Sequence, residues 1–314
     1  MNNAQQLTRG ALFLAIYSVL LLITMYVPVL GTVINFFLPI PFIIFAAKNN
    51  IKSTIVFLIA AILISLILGS FLAIPITTSY GMTGTVIGYL LQKQKGRWFT
   101  FLAGSLILLV NLVLQYVITV VFFKINFIED FLQAFEESIT TSVKMMESLG
   151  QTANTQMIEQ LQTSIALMET LMPSMFVMAS FIMVFFIQLA SVPILKRFDI
   201  SVADWKPFRE LVLPKGLLYY YLICLAASLF LNPEVGSYYY SAITNLVFVL
   251  QLFMVIQGIS FIYYYCYAKG FPKSYPIIAV ILIFFLPFLL YLVRLLGIID
   301  LGFNLRKHLN KNSK

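Results

Sequence analysis

Amides and hydroxyls are the neutral polar side chains that could take part in chemistry within the apolar segments of this chain. Asn111 and Gln115 are four residues apart, so they lie on one face of a helix and could bind a small molecule between helices. We assign the same candidate ligand-binding role to Asn35, Thr77 and Thr78. Their alternative role is hydrogen bonding between neighbouring helices, where each bond contributes about 0.6 kcal/mol on average to the stability of a membrane protein.

Further amides occur in the later apolar segments, at Gln188, Asn245, Gln251 and Gln257. The last three follow one another at intervals of six residues, or about 240° each around a helix. Because they point in three directions, we predict that protein surrounds this helix. For the same reason the helix does not present its three amides to a single ligand site.

Catalytic groups are not apparent. No Asp, Glu, Lys or His lies in the middle of an apolar segment, which removes the usual acids and bases for chemistry within the membrane. The sequence lacks GxxxxGK[ST], HExxH and GxSxG, and Cys224 and Cys266 are far apart inside apolar runs. We therefore predict no catalytic residue, no metal and no cofactor, and hence no enzyme; nothing in the sequence indicates nucleic-acid binding.

Hydrophobic residues make up 61% of the 314 residues and charged residues only 10%, against about 45–50% and 25% in soluble proteins. Apolar segments long enough for a membrane recur along the chain. They fall at 10–30, 32–47, 53–73, 76–92, 98–123, 173–195, 216–232, 239–268 and 275–297. We predict an all-α, polytopic transmembrane protein, surrounded by membrane lipid, with nine spans, or eight if a short segment does not cross.

Lys and Arg concentrate in alternate connections, which predicts a multi-pass protein of the cell membrane with a cytoplasmic N-terminus. The tail "FNLRKHLNKNSK" conflicts with this orientation, because nine spans would place a basic segment outside. Either the last span does not cross, or the earlier helices override the charge of the tail.

Residues 124–172 form a long acidic segment that this orientation places outside the cell. Apolar side chains recur there every three or four residues, which predicts two amphipathic helices packed as a hairpin. The hairpin is either self-contained or a docking arm or lid.

Residues 198–215 form a cytoplasmic connection. Trp205, Phe208 and either Leu211 or Val212 share one face of a helix, which predicts an interfacial helix in the lipid headgroup layer. Contact with a cytoplasmic partner is the alternative.

Small residues form regular faces on three of the apolar segments. Packing between helices is predicted for Ala61, Ser65, Gly69, Gly81, Gly84 and Gly88. Ala11, Ala15 and Ser18 form a similar face on the first segment, and this face either packs internally or docks a partner helix.

Two stretches resemble the substrate-binding subunit of energy-coupling-factor vitamin transporters: "ALFLA" at 11–15 and "GMTGTVIGYLLQKQKG" at 81–96. The resemblance covers roughly residues 8–197 and implies a six-span module over 1–197 that binds a small molecule. It further implies that Ala11 and Ala15 meet a transmembrane coupling subunit, whose associated ATPases would supply the energy.

The whole chain resembles the YybS-like family of uncharacterised bacterial multi-pass membrane proteins. The stretches "VIQGISFIYYY" at 255–265 and "GIIDLGFNLRK" at 297–307 carry this resemblance, in a C-terminal three-span module over 216–314 with a basic tail. The leading functional hypothesis is a small-molecule-binding transport subunit. The alternative is an interaction or assembly protein that recruits envelope or division partners through the external hairpin.

Overall fold

The computed structural model describes residues 3–148, 155–205 and 207–311, and this part of the chain is helical without strands. The helices are α1 (Asn3–Tyr26), α2 (Pro28–Ile34), α3 (Ile40–Lys48), α4 (Ile51–Gln92), α5 (Arg97–Phe123), α6 (Phe127–Ser148), α7 (Thr155–Thr170), α8 (Met172–Arg197), α9 (Lys215–Phe230), α10 (Tyr238–Ala268), α11 (Ser274–Phe285), α12 (Pro287–Phe303) and α13 (Leu305–Lys311). Two 3-10 turns occur at Asn35–Phe37 and Phe208–Glu210. The predicted all-α, polytopic fold is confirmed.

Six helical segments of the described chain are long and apolar enough to cross a membrane, and a seventh is added if α11 and α12 count as one bent span. The six are Gln5–Tyr26, Pro28–Lys48, Ile51–Gln92, Arg97–Phe123, Met172–Arg197 and Tyr238–Ala268. All nine predicted apolar segments are helical. The count is lower because α4 contains two of them, α9 is only 16 residues long, and the last is bent.

The two predicted segments within α4 are joined by a break rather than by a loop. Gly69 and Ser70 have non-helical backbone angles, with a φ of 56° at Ser70. A Cβ on Gly81 in the second half would lie 2.6 Å from the side chain of Leu58 in the first, so the two halves fold back on each other. The reversal is therefore at Gly69 and Ser70 and precedes Pro75.

The last predicted segment consists of α11 and α12, which are bent by 119° with respect to each other. Pro287 is the first residue of α12, where the missing N–H of proline is tolerated. Gln251 and Gln257 of α10 pair with Arg294 and Asp300 of α12 in the same order along both helices. The two helices are therefore parallel, and α12 ends at the same end of the fold as α10.

Contacts divide the chain into two compact units. Unit 1 comprises the described residues within 1–130 and 175–204, and unit 2 those within 131–174 and 205–314. Most of the segment predicted to form an external hairpin is thus grouped with the C-terminal helices.

In unit 1, α3 is buried from Ile40 to Ala46, and the second half of α4 packs against it. If Gly84 carried a Cβ atom, it would lie 2.6 Å from the carbonyl oxygen of Pro39. A Cβ atom on Gly88 would overlap the carbonyl oxygen of Ile43. Glycine is required at these positions because the two backbones approach so closely. All six residues predicted to pack helices are buried: Ala61, Ser65, Gly69, Gly81, Gly84 and Gly88.

The described residues of the connection within 198–215 do not form the helix that was expected there. Among those that belong to unit 2, Phe208–Glu210 form a single 3-10 turn, between Pro207 and Pro214. The prolines disfavour a continuous helix, and the backbone groups of the connection bind side chains of α10, as described below. Within 124–172, α6 and α7 lie where two helices were predicted.

Candidate functional site

A buried ion pair lies in unit 2 between α12 and α13. The carboxylate of Asp300 accepts hydrogen bonds from Nε of Arg306 at 3.0 Å and from Nε2 of Gln257 at 2.6 Å. The side chain of Asp300 is 2% exposed and that of Arg306 12%, so both charges are largely removed from solvent. Gln257 itself is fully buried. A pair at this depth persists only if further hydrogen bonds complete it.

The guanidinium of Arg306 has such bonds on each of its nitrogens. Nη1 donates to the backbone carbonyl of Arg209 at 2.7 Å, and Nη2 donates to the hydroxyl of Ser260 at 3.1 Å. Its carbon lies 5.2 Å from the ring centre of Tyr264, which is a favourable cation–π distance. Arg306 therefore joins α13, α10 and the 208–213 connection.

The 208–213 connection is held by the same side chains of α10. The hydroxyl of Ser260 lies 2.8 Å from the carbonyl oxygens of both Phe208 and Leu211, and Gln257 accepts from the backbone N–H of Leu213 at 2.9 Å. These bonds place the connection and the start of the basic tail at one end of unit 2. We refer to Gln257, Ser260, Asp300 and Arg306 as the Asp300 cluster.

Two glycines allow α10 and α12 to approach closely enough to form the Asp300 cluster. A Cβ on Gly297 would overlap the carbonyl oxygen of Met254, and a Cβ on Gly258 would overlap that of Val293. The direct backbone contact brings Gln257 within reach of Asp300. The carboxylate, amide and guanidinium groups of the Asp300 cluster are all hydrogen-bonded to other groups of the protein. Its effect is to fix the connection and the tail to the helices.

The three amides of α10 all bind other elements of unit 2, although two of them share α12 as a partner. Asn245 donates to the carbonyl of Thr170 at the end of α7 at 2.6 Å and accepts from the N–H of Ser174 near the start of α8 at 2.9 Å. Gln251 pairs with α12, and Gln257 with α12 and the 208–213 connection. Protein thus surrounds α10 on several sides.

The candidate ligand-binding residues of unit 1 form separate contacts. The hydroxyl of Tyr17, a fully buried residue of α1, donates to that of Thr77 at 2.6 Å. Asn111 donates to the carbonyl of Ile107 in its own helix at 2.9 Å. Asn35 faces the hydroxyl of Tyr80. Each of these three side chains therefore has a different hydrogen-bond partner.

Gln115 and Thr78 are the two candidates that do meet. Nε2 of Gln115 lies 3.4 Å from the hydroxyl of Thr78, 2.7 Å from that of Ser79 and 3.0 Å from the carbonyl of Pro75. Both Gln115 and Thr78 are half-buried. This group ties α5 to α4 at Pro75.

Gln188 of α8 has a different environment. It is 4% exposed, and neither atom of its amide has a hydrogen-bond partner among the described residues. The same holds for the buried hydroxyl of Ser105. A Cβ on Gly104 would lie 3.1 Å from Ile87 and 3.2 Å from Val184, so α4, α5 and α8 meet at this level. Buried polar groups are seldom left without a hydrogen-bond partner, so the two groups leave room for water or a bound molecule as the partner.

The small face of α1 lies opposite its buried face. Phe13, Tyr17 and Leu21 are buried, whereas Ala11 and Ala15 are exposed. Ser18 is half-buried and donates to the carbonyl of Leu14 at 2.8 Å. As for metals, residues 3–148, 155–205 and 207–311 contain no group of three His, Cys, Asp or Glu that could hold an ion.

The model of a family described as "Predicted membrane protein (DUF2232)" matches residues 15–301. The chain belongs to this DUF2232 family. YybS of Bacillus subtilis (strain 168), described as uncharacterized, is 31% identical to the DUF2232 chain over 309 residues, which cover 98% of this chain and 99% of YybS. The predicted resemblance to the YybS-like family is confirmed. No solved structure matches. None of these matches supports the resemblance to energy-coupling-factor subunits, which stays a prediction.

Both stretches that carry the YybS-like resemblance contribute to the Asp300 cluster of this DUF2232 chain. Gln257 and Ser260 come from the first stretch, and Asp300 and Arg306 from the second. Asp300 was missed as a candidate because it follows the predicted last span. Arg306 was counted only as part of the basic tail. The spacing of Asp300 and Arg306, six residues apart across a helix end, could have predicted that they form an ion pair. Their partners on α10 could not be predicted, because they are brought close only by the tertiary fold.

Proposed function

We propose that the chain is a non-catalytic, multi-pass subunit of the cell membrane that docks to a transmembrane partner through α1 and binds a small molecule within unit 1. The observation that carries the proposal is the exposure of Ala11 and Ala15 on a helix whose opposite face is buried. Small side chains let a partner helix approach closely, which is how helices associate in lipid. The partner would be a coupling subunit with ATPases, which is what the resemblance to energy-coupling-factor subunits implies.

The small-molecule part of the proposal is supported by Gln188 and Ser105. Their unpartnered amide and hydroxyl groups are buried near the level where α4, α5 and α8 meet. Amides and hydroxyls both donate and accept, so they suit a neutral polar molecule. The half-buried pair of Gln115 and Thr78 offers further groups of the same kind.

Ala15→Trp is expected to abolish co-purification of the transmembrane partner from native membranes, because the indole ring would hold the two helices apart. The matched control is Ile16→Trp, which places the same ring about 100° further around α1 at a position that is already exposed. Both variants should insert in the membrane at the wild-type level. Equal recovery of a partner with Ala15→Trp and wild type would rule out docking through this face.

A second function is favoured by two exposed aromatic rings on α6. Phe131 is 53% exposed and Phe135 41%, and their rings stack at 6.4 Å between centres. This pair suits the hypothesis that the chain recruits an envelope or division protein through residues 124–172. The same co-purification distinguishes the two roles: loss of partners with Phe131→Ser/Phe135→Ser, and not with Ala15→Trp, would assign recruitment to α6.

The orientation follows from the same proposal, with the N-terminus and the 198–215 connection on the cytoplasmic side. Since Arg306 binds the 208–213 connection, the tail should lie on that side too, and α11 and α12 would enter and leave the membrane from one face. This removes the conflict between the basic tail and nine spans.

Cysteine labelling tests this arrangement after Cys224 and Cys266 are replaced by serine. In intact cells an impermeant maleimide should leave Glu210→Cys and Lys307→Cys unlabelled and should label Glu234→Cys, which lies before the other end of α10. All three positions are exposed. Labelling of Lys307→Cys but not of Glu210→Cys would show that α11 and α12 cross the membrane.

A further inference from the structure

A second arginine of unit 2 lies deep in the fold, away from the Asp300 cluster. Arg294 lies within the apolar run of α12, and its Nη1 donates to Oε1 of Gln251 on α10 at 2.9 Å. At 1.5 Å per residue, Gln251 is about 20 Å from Tyr238 and about 26 Å from Ala268, the two ends of α10. Arg294 is therefore level with the middle of a helix long enough to cross the membrane.

The charge of Arg294 has no carboxylate partner among the described residues, whose ion pairs are Lys196 with Asp204 and Arg306 with Asp300. Besides Gln251, its guanidinium faces the ring of Tyr291, with the carbon 4.9 Å from the ring centre. An amide oxygen and an aromatic ring compensate a cation at this depth only in part. Ionisable residues inside membranes are costly and mark binding sites or pathways.

The groups of Arg294 and Gln251 that remain available for hydrogen bonding to a ligand are donors. A guanidinium has five N–H groups and no acceptor, and Gln251 uses its oxygen to receive one of them, which leaves the Nε2 amide group as a donor. Arg294 is half-buried, while Tyr291 and Leu295 beside it are exposed, so the site opens to the surface of unit 2. A cation with surrounding N–H donors selects an acceptor with negative charge.

We propose that Arg294 and Gln251 bind the oxyanion group, a carboxylate or a phosphate, of an acidic molecule that reaches mid-depth of unit 2. The occupant is either a free organic acid or an anionic lipid, which share this chemistry. The site is independent of the role proposed for unit 1, and its test does not involve a protein partner.

The test measures the thermal unfolding midpoint of the full chain in an uncharged detergent. Benzoate is compared with neutral benzamide, and phosphatidylglycerol with phosphatidylcholine. At least one anionic probe should raise the midpoint above its neutral counterpart. Arg294→Gln should weaken the apparent affinity for that probe at least about tenfold, because a charge-assisted hydrogen bond is lost. The control Lys269→Gln removes an exposed cation beyond the end of α10 and should respond like wild type.

A response to benzoate assigns the site to free acids, and a response to phosphatidylglycerol alone assigns it to lipid. The proposal is overturned if neither anionic probe exceeds its neutral counterpart, if Arg294→Gln responds like wild type, or if Lys269→Gln loses the response equally. Should Arg294→Gln fail to fold, Gln251→Leu keeps the charge, removes the amide donor and should also weaken the response. An unchanged response of Gln251→Leu would then overturn the two-residue site.

Discussion

Asp300→Leu is expected to lower the free energy of unfolding by about 3–5 kcal/mol, because it leaves the guanidinium of Arg306 buried without its counter-charge. The amide of Gln257 loses its acceptor in the same step, since its Nε2 donates to the same oxygen of Asp300. The measurement is denaturation of the purified chain in mixed micelles, followed by tryptophan fluorescence.

The double variant Asp300→Leu/Arg306→Met separates the charge from the packing. Replacing a whole buried pair by apolar residues of similar size is often neutral, so the double variant should recover most of the stability lost by the single one. A double variant as unstable as Asp300→Leu would show that the bonds of Arg306 to the 208–213 connection, and not the balance of charge, stabilise this end of unit 2.

The matched control is the other ion pair of the described chain. Lys196 and Asp204 lie 3.5 Å apart, and their side chains are 58% and 85% exposed, against 12% and 2% for Arg306 and Asp300. Exposed pairs contribute about 0–1 kcal/mol, so Lys196→Met should change the stability little. A loss comparable to that of Asp300→Leu would indicate that the assay reports charge in general and not burial.

Hydropathy predicts the helices of this chain well, because membrane helices satisfy their backbone hydrogen bonds locally and need only apolar side chains. All nine predicted segments are helical for that reason. The chain direction is less predictable: the reversal within α4 is at Gly69 and Ser70, before Pro75, and Gly69 was predicted to pack helices and not to break one. The bend between α11 and α12 lies at Leu286, directly before Pro287, within a segment that hydropathy treats as continuous.

The polar sites were predictable only in part. Gln251 and Gln257 were recognised as intramembrane amides, but their partners, Arg294 and Asp300, were not considered. Arg294 lies within a predicted span, so its charge inside an apolar segment is visible in the sequence. Asp300 lies beyond the predicted last span, and its burial results from the contact between two backbones, which residue types alone do not reveal.

That contact makes Gly297→Ala the second substitution with a large expected effect. A methyl group there would overlap the carbonyl oxygen of Met254, which belongs to the backbone and cannot move aside as a side chain would. Overpacking of this kind lowers stability by about 1–3 kcal/mol. Gly302→Ala is the control on the same helix, because its nearest contact is a side-chain atom of Leu218 at 3.7 Å. There the higher helix propensity of alanine should raise stability by up to about 1 kcal/mol.

The two effects should also be coupled, because separating α10 from α12 draws Gln257 away from Asp300. If Gly297→Ala already weakens the Asp300 cluster, its combination with Asp300→Leu will be less destabilising than the sum of the two single changes. Residues that share contacts deviate from additivity by about 0.5–3 kcal/mol, which is measurable by a double-mutant cycle. Strict additivity would mean that the glycine contact and the ion pair act independently, and that the Asp300 cluster is held in place by the 208–213 connection instead.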